Sequence, residues 1–348
     1  MAGSSRTVLL VVVALSASAV AVADDARALL GRMERTLATR NYQGTFVHEH
    51  DGQTETLRII HRADNGGYTE RVVSLDGSGR EVIRRDGAVK AYFPDQHTVL
   101  VESGQKGGLL LSGLAGLASA AGQIYSLREE SPTRISGRQA RVVVVEPRDE
   151  LRYGYRVWID ETSAMPIKTQ LRTAGGRVVE QLIFTELTLP THIADAALQP
   201  AVATRQYRWL RRDAMNGNGV GEPADASWDA AELPPGFRLI GNSTQLVGGG
   251  QKTVTHLVFS DGLASVSVFV EAQQRPPAAL QRGAAAATTE TSLGSSSALS
   301  TEVDGHKVTA IGEVPPDTVR AITRSLRVGF APAAGAAPAA GVAPALKP

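Results

Sequence analysis

The sequence predicts an α+β protein, mostly antiparallel β, with a large curled sheet followed by a small α+β domain. Three observations carry that prediction. Residues 44–101 are punctuated by Asp51-Gly52, Asn65-Gly66, Asp76-Gly77 and Asp86-Gly87, and tight hairpins call for such pairs because their turns need positive φ, which glycine reaches without a Cβ clash. Strand rhythm returns over residues 134–189, and short strands punctuated about every ten residues form meanders that curl into a sandwich or barrel. A break in composition, Asn216-Gly217-Asn218-Gly219 followed by Gly221 and Pro223, separates this region from the C-terminal third of the chain.

The chain opens with Arg6, an apolar run over 8–14 and Ala21-Val22-Ala23. This reads as a signal peptide, residues 1–23, cleaved after Ala23; the run is shorter than the ~20 residues a membrane-spanning helix needs. There is no cysteine, which excludes a disulfide framework, thiol catalysis, thiolate metal sites and the acylated cysteine of a lipoprotein. An export signal without disulfides points to a bacterial periplasm. The chain has 36 basic and 35 acidic residues, and loss of the signal removes Arg6 and no acid. A neutral mature chain gives no electrostatic case for nucleic acid.

The large domain is expected over residues 24–210. Asp24 and Asp25 cap a helix whose apolar positions Ala26, Leu29, Leu30, Met33 and Leu37 form one stripe for packing on a sheet. Strands follow at 45–47, 57–60, 70–75, 80–84 and 89–93. Arg58, Arg62, Arg71, Arg84 and Arg85 stand beside apolar neighbours, which suggests one wet and one covered face. Residues 104–125 are apolar and glycine-rich; Gly113 and Gly116 each weaken a helix by ~1 kcal/mol relative to alanine. The segment is either a mobile lid over a hydrophobic interior or a helix plugging the barrel. Residues 141–146, 153–160, 166–172 and 178–188 give four more strands. In the second of these, Tyr155, Val157 and Ile159 point one way and Arg156, Trp158 and Asp160 the other. Nine or ten strands in all can wrap most of a barrel. Residues 193–207 are a helix or an irregular return, and 211–227 a linker.

The small domain spans 228–330. Pro234-Pro235-Gly236-Phe237 turns into a strand at 238–240, and residues 253–259 and 264–271 make a hairpin around Asp261-Gly262. After an Ala/Thr/Ser loop, 297–302 and 307–312 make another around Asp304-Gly305. Pro316 suits the first turn of a helix over 317–327, with Val319, Ile322 and Leu326 on one face. The Ala/Pro/Gly tail, 331–348, is expected to be disordered.

Little in the chain looks catalytic. It has no Gly-x-Ser-x-Gly elbow and no phosphate loop, since Gln251 stands where a glycine must precede Lys252. His48 and His50 share one strand face and make half a metal site, but spacing supplies no third ligand. Ser260-Asp261-Gly262 is a hairpin turn rather than a nucleophile. The expectation is no enzyme activity, no metal and no cofactor.

Several stretches resemble the RseB/MucB family. In the large domain these are Asn41-Tyr42-Gln43-Gly44-Thr45-Phe46-Val47, Glu70-Arg71-Val72-Val73-Ser74-Leu75-Asp76-Gly77, Arg80-Glu81-Val82-Ile83-Arg84, and Tyr155-Arg156-Val157-Trp158-Ile159-Asp160 with Met165-Pro166. In the small domain they are Leu233-Pro234-Pro235-Gly236-Phe237, the run 259–271 around Ser260-Asp261-Gly262-Leu263, and Gly312-Glu313-Val314-Pro315-Pro316. The resemblance implies a half-open, lipoprotein-carrier-like barrel crossed by helices. It also implies a periplasmic negative regulator of the envelope-stress, sigma-E or alginate-type response. Such a protein binds the periplasmic domain of a membrane-spanning anti-sigma factor, shields it from regulated proteolysis, and is released by lipid-bearing ligands, lipopolysaccharide or lipoprotein. On this reading the lipid pocket is expected at Phe46, Leu57, Ile59, Leu110, Leu114, Leu117 and Trp158, and the anti-sigma contact at Trp228, Phe237, Ser260, Asp261, Gly262 and Leu263. The alternative is a periplasmic lipid or lipoprotein carrier, for which the small domain has no evident use. A homo-oligomer is left open.

Overall fold

The computed structural model describes residues 24–64, 67–85, 87–103, 111–120, 122, 124–212, 227–247, 252–271 and 288–329. The expected signal segment, Asn65-Gly66, Asp86, Leu110, most of the expected linker, the Ala-rich loop and the tail lie outside them.

Helix α1 covers residues 24–39 and buries the expected stripe of Ala26, Leu29, Leu30 and Met33. Six strands follow: β1 (Tyr42–His50), β2 (Gln53–Asp64), β3 (Gly67–Ser74), β4 (Glu81–Arg85), β5 (Ala88–Phe93) and β6 (Thr98–Ser103). After the short helix α2 (Leu117–Ala120) come β7 (Tyr125–Ile135), β8 (Arg138–Pro147), β9 (Gly154–Asp160), β10 (Pro166–Arg172), β11 (Val178–Thr188) and β12 (Arg208–Arg212). All twelve form one sheet, ordered β12-β6-β5-β4-β3-β2-β1-β11-β10-β9-β8-β7. It does not close, because β12 and β7 stand at opposite edges; it is the wall of a half-open barrel with helices across its opening. Two local meanders make most of it, joined by the antiparallel β1–β11 pair. Strand β12 returns to pair with β6 in parallel.

The hairpin chemistry is local and works as expected at Asp51-Gly52, where φ is 49° and 71°. Left-handed φ at both central residues is what a two-residue type I′ turn requires. Ser136-Gly137 (48° and 78°) and Asp304-Gly305 (48° and 77°) repeat it.

Register assigns the faces. Phe46 pairs with Leu57 and with Phe184, and Ile59 with Val72, so these side chains share the concave face that α1 covers. Their core continues through Leu114, Leu117, Val143 and Val157. The opposite face, expected to be wet, is covered over β2–β6 by the return 193–207. That return is irregular apart from one 3-10 turn, Asp195–Leu198. Ile193 and Leu198 pack on Ile60, and Val202 and Tyr207 on Ile83, Tyr92 and Val99. Arg71, which needs a partner there, reaches Glu81 at 2.9 Å and the Ala197 carbonyl at 3.1 Å.

The remaining elements are β13 (Ser227–Ala230), β14 (Arg238–Val247), β15 (Lys252–Ser260), β16 (Ser265–Glu271), β17 (Thr289–Leu293), β18 (Ser296–Val303), β19 (His306–Gly312), helix α3 (Pro316–Ser325) and β20 (Leu326–Gly329). Six strands form a sheet in the order β14-β15-β16-β19-β18-β17, and β13 pairs with β20. Val319 and Ile322 of α3 sit in one core with Val266, Val268, Val308 and Ala310. Leu326 belongs to that core but begins β20 instead of ending the helix.

Candidate functional site

The concave face of the large sheet changes character along β1. At its start is a buried polar cluster. Tyr42 stacks on His61 at 4.4 Å, His61 on Tyr68 at 5.1 Å, and His61 Nδ1 lies 3.1 Å from Glu70 Oε2. The Arg84 guanidinium lies 5.9 Å from the Tyr68 ring centroid. Burial, with Glu70 beside it, pushes the Tyr42 hydroxyl well above its ordinary pKa. His61 Nε2 and the Tyr68 hydroxyl are buried with no hydrogen-bond partner among the described residues. The middle of the face is apolar: Phe46, Leu57, Ile59 and Val72. Its far end is polar again. His48 and His50 project beside each other with ring centroids 4.7 Å apart, and His48 Nε2 lies 2.6 Å from Glu180 Oε1. Burial alone would raise the Glu180 pKa, but hydrogen bonds from His48 and Ser295 outweigh it and hold the carboxyl below its usual range.

Of the expected pocket residues, Phe46, Leu57, Ile59, Leu114 and Leu117 come together in one buried cluster. Helix α1 and the segment 111–120 fill the space above them, tied by the Ala118 amide donating to Glu34 at 2.9 Å. Trp158 belongs to the same buried cluster, although it leaves its strand on the opposite side. Phe46 opposes Phe184, Leu182 opposes Thr169, and Thr169 opposes Val157, so strand alternation puts Trp158 on the other face. There its ring is flanked by Arg156 at 4.7 Å and Lys168 at 5.0 Å. Two clefts of about 320 and 240 Å³ lie elsewhere, and none of the expected pocket residues lines either.

All of the expected partner-contact residues except Trp228 lie at or next to the seam between the two sheets. Arg152, on the loop between β8 and β9, is fully buried. Its guanidinium donates to Asp261 Oδ2 at 2.6 Å, to Asp149 at 2.9 and 3.0 Å, and to the Pro235 carbonyl at 2.7 Å. The Tyr125 and Phe237 rings lie 5.7 and 5.3 Å from it. Burial works against this charge, yet Asp149 and Asp261 hold the guanidinium pKa above its ordinary value. Asp261 spends its other oxygen on the amides of Leu263 and Ala264, at 2.9 and 2.7 Å, so the turn that the sequence predicts is shaped by the same carboxylate that meets Arg152. Ser260 caps the turn by accepting from the Gly262 amide at 3.0 Å. Leu263 packs on the large-domain core, and the Thr318 hydroxyl donates to the Leu151 carbonyl. Trp228 is buried in the small-domain core, edge-on to His306 at 5.3 Å. Of the six residues only Gly262 is exposed.

Sequence reasoning missed Arg152, because nothing in Asp149-Glu150-Leu151-Arg152 distinguishes it from a solvated loop and its partner lies 109 residues away. It also missed Glu55 and Glu180, which only strand pairing brings to the histidines, as His48↔Glu55 and His50↔Glu180. Among the described residues no helix is long and apolar enough to cross a membrane.

Family models for the MucB/RseB N-terminal domain and the MucB/RseB C-terminal domain match residues 25–202 and 222–327. The sigma factor AlgU regulatory protein MucB of Pseudomonas aeruginosa is 31% identical over 324 residues, 93% of this chain and 97% of that one. The sigma-E factor regulatory protein RseB of Escherichia coli K12 is 28% identical over 311 residues, 87% and 91% of the two chains. Among solved structures, MucB in complex with MucA(peri) superposes with a TM-score of 0.65 at 30% identity, covering 89% of this chain and all of that one. A crystal structure of MucB gives 0.54 at 28% identity, covering 88% and 98%.

Proposed function

The chain belongs to the MucB/RseB family, and on that premise we propose that it is a periplasmic, non-catalytic regulator of an envelope-stress sigma factor. It acts by binding the periplasmic domain of a membrane-spanning anti-sigma factor and shielding it from proteolysis. The observation that carries this reading is the match over both domains to MucB in complex with MucA(peri). The small domain supports it further, being docked through a buried ion pair rather than trailing as an appendage. A partner engaging the turn at residues 260–263 meets the seam, where binding is sensitive to how the two domains sit.

Release by lipid is the second part of the proposal. An apolar floor leading to a polar end with unmet hydrogen-bonding groups suits an amphipathic ligand, and each buried methylene contributes ~0.8 kcal/mol. The floor is covered by α1 and by Leu114 and Leu117, so acyl chains enter by displacing that cover. A ligand releases the partner only as far as it prefers the partner-free form. Lipid and anti-sigma domain therefore compete.

The test is reconstitution with the mature chain and the anti-sigma periplasmic domain. Binding and slowed cleavage by the initiating protease are expected, with protection relieved by acylated ligand. Unimpaired cleavage with no measurable binding sinks the regulator reading. Protection unchanged at saturating lipid removes only the lipid part.

A further inference from the structure

The histidine end of the concave face has a composition that neither partner binding nor lipid binding uses. His48 and His50 are two apart on β1 and so lie on one side of the sheet. Glu55 is paired directly across from His48 on β2, and Glu180 directly across from His50 on β11. One donor atom from each of His48, His50 and Glu55 lies within 4.8 Å of the other two. A tetrahedral zinc ion with donors at about 2.0–2.1 Å needs them about 3.3 Å apart, a gap that small side-chain rotations close. Glu180 Oε1 is already 2.6 Å from His48 Nε2, the place of the carboxylate that orients a ligating imidazole: once Nε2–H is given to Glu180, Nδ1 keeps the lone pair. Glu55 is only loosely engaged, with Arg80 at 3.3 Å and 44% exposed.

We propose that His48, His50 and Glu55, with Glu180 behind His48, bind one divalent transition-metal ion of the zinc class. Two imidazoles and a carboxylate select zinc, copper(II) or nickel over magnesium or calcium, which take oxygen donors. The site lies beside the seam. A Cβ at Gly294 of the small domain would stand 3.9 Å from the Asp51 Cβ. Metal binding therefore stiffens the wall on which the small domain rests.

The mature chain, stripped with chelator, is titrated with Zn²⁺ by calorimetry and in competition with a chromophoric chelator. One saturable equivalent is expected, with no comparable response to Mg²⁺. The pair His48→Gln/His50→Gln should abolish that equivalent, Glu180→Gln should weaken it by roughly 10–100-fold, and His192→Gln/His306→Gln should leave it in place. Metal-free melting curves report whether each variant is folded. If the double histidine variant does not fold, Co²⁺ loading of Glu55→Gln decides: the visible d–d spectrum must differ from that of the unaltered chain. No saturable Zn²⁺ site, a site that survives in a folded His48→Gln/His50→Gln variant, or an unchanged Co²⁺ spectrum in Glu55→Gln overturns the proposal.

Discussion

Arg152 concentrates the problem of joining two domains in one side chain. Its ion pair with Asp261 is shut off from solvent on both sides, and removing one partner of such a pair leaves an uncompensated buried charge. Arg152→Ala or Asp261→Ala is therefore expected to lower stability by about 3–5 kcal/mol, measured by denaturant unfolding; a loss below about 1 kcal/mol, the worth of an exposed pair, would contradict the buried geometry. His256 makes a second case. It stacks on Phe269 at 4.5 Å, and burial holds its pKa below the ordinary 6.5. Below about pH 6.5 the unfolded chain thus takes up a proton that the folded chain refuses, so this contribution to stability is present above that pH and is lost as pH falls. Between about pH 7.5 and about pH 5.5 the denaturation midpoint should fall more for the unaltered chain than for His256→Gln; equal falls would rule the histidine out. At this scale the sequence was half informative. The turn around Asp261 was legible because its chemistry is local, whereas the arginine that meets it was not.

Among the elements, the β1–β11 pair decides whether the two meanders become one sheet. Gly44 sits in that pair, opposite Leu187 and beside the bulge at Thr45/Phe46. A Cβ there would lie 2.3 Å from the Glu186 carbonyl oxygen and 3.0 Å from the Phe184 ring. Backbone cannot yield cheaply, so Gly44→Ala should cost about 1–3 kcal/mol or more. It should also expose the β1 and β11 amides to hydrogen exchange ahead of the rest of the sheet, and uniform exchange would show that the contact is absorbed elsewhere. Hairpins and α1 could be read from sequence because a turn dipeptide or an i, i+3, i+4 stripe is complete within a few residues. Strand β7 could not. Its charged residues form cross-strand pairs, Arg141 to Glu129 at 2.6 Å and Arg156 to Glu130 at 2.5 Å, which along the chain look like loop composition. Strand β12 was hidden for the complementary reason, since its parallel partner β6 lies more than a hundred residues earlier.

For the whole molecule, a buried interdomain charge predicts coupled unfolding. Calorimetry should give one transition for the unaltered chain and two for Arg152→Ala, while a single transition in the variant would place the coupling in other contacts. The architecture could be anticipated from turn spacing and composition; the proposed partner-binding role was reachable only through the family motifs, because no catalytic or charge pattern announces a docking surface. The β1–β11 seam also bears on how the molecule is made. Residue 43 and residue 188, neighbours across that seam, are 145 positions apart, and contacts of such separation form late because loop closure must precede them. We expect the two meanders to fold first, each with a bare edge, and to zip together in the slowest step. Until then those edges are open to strangers, so the yield of native protein is set by a race between closure and aggregation rather than by the stability of the finished sheet.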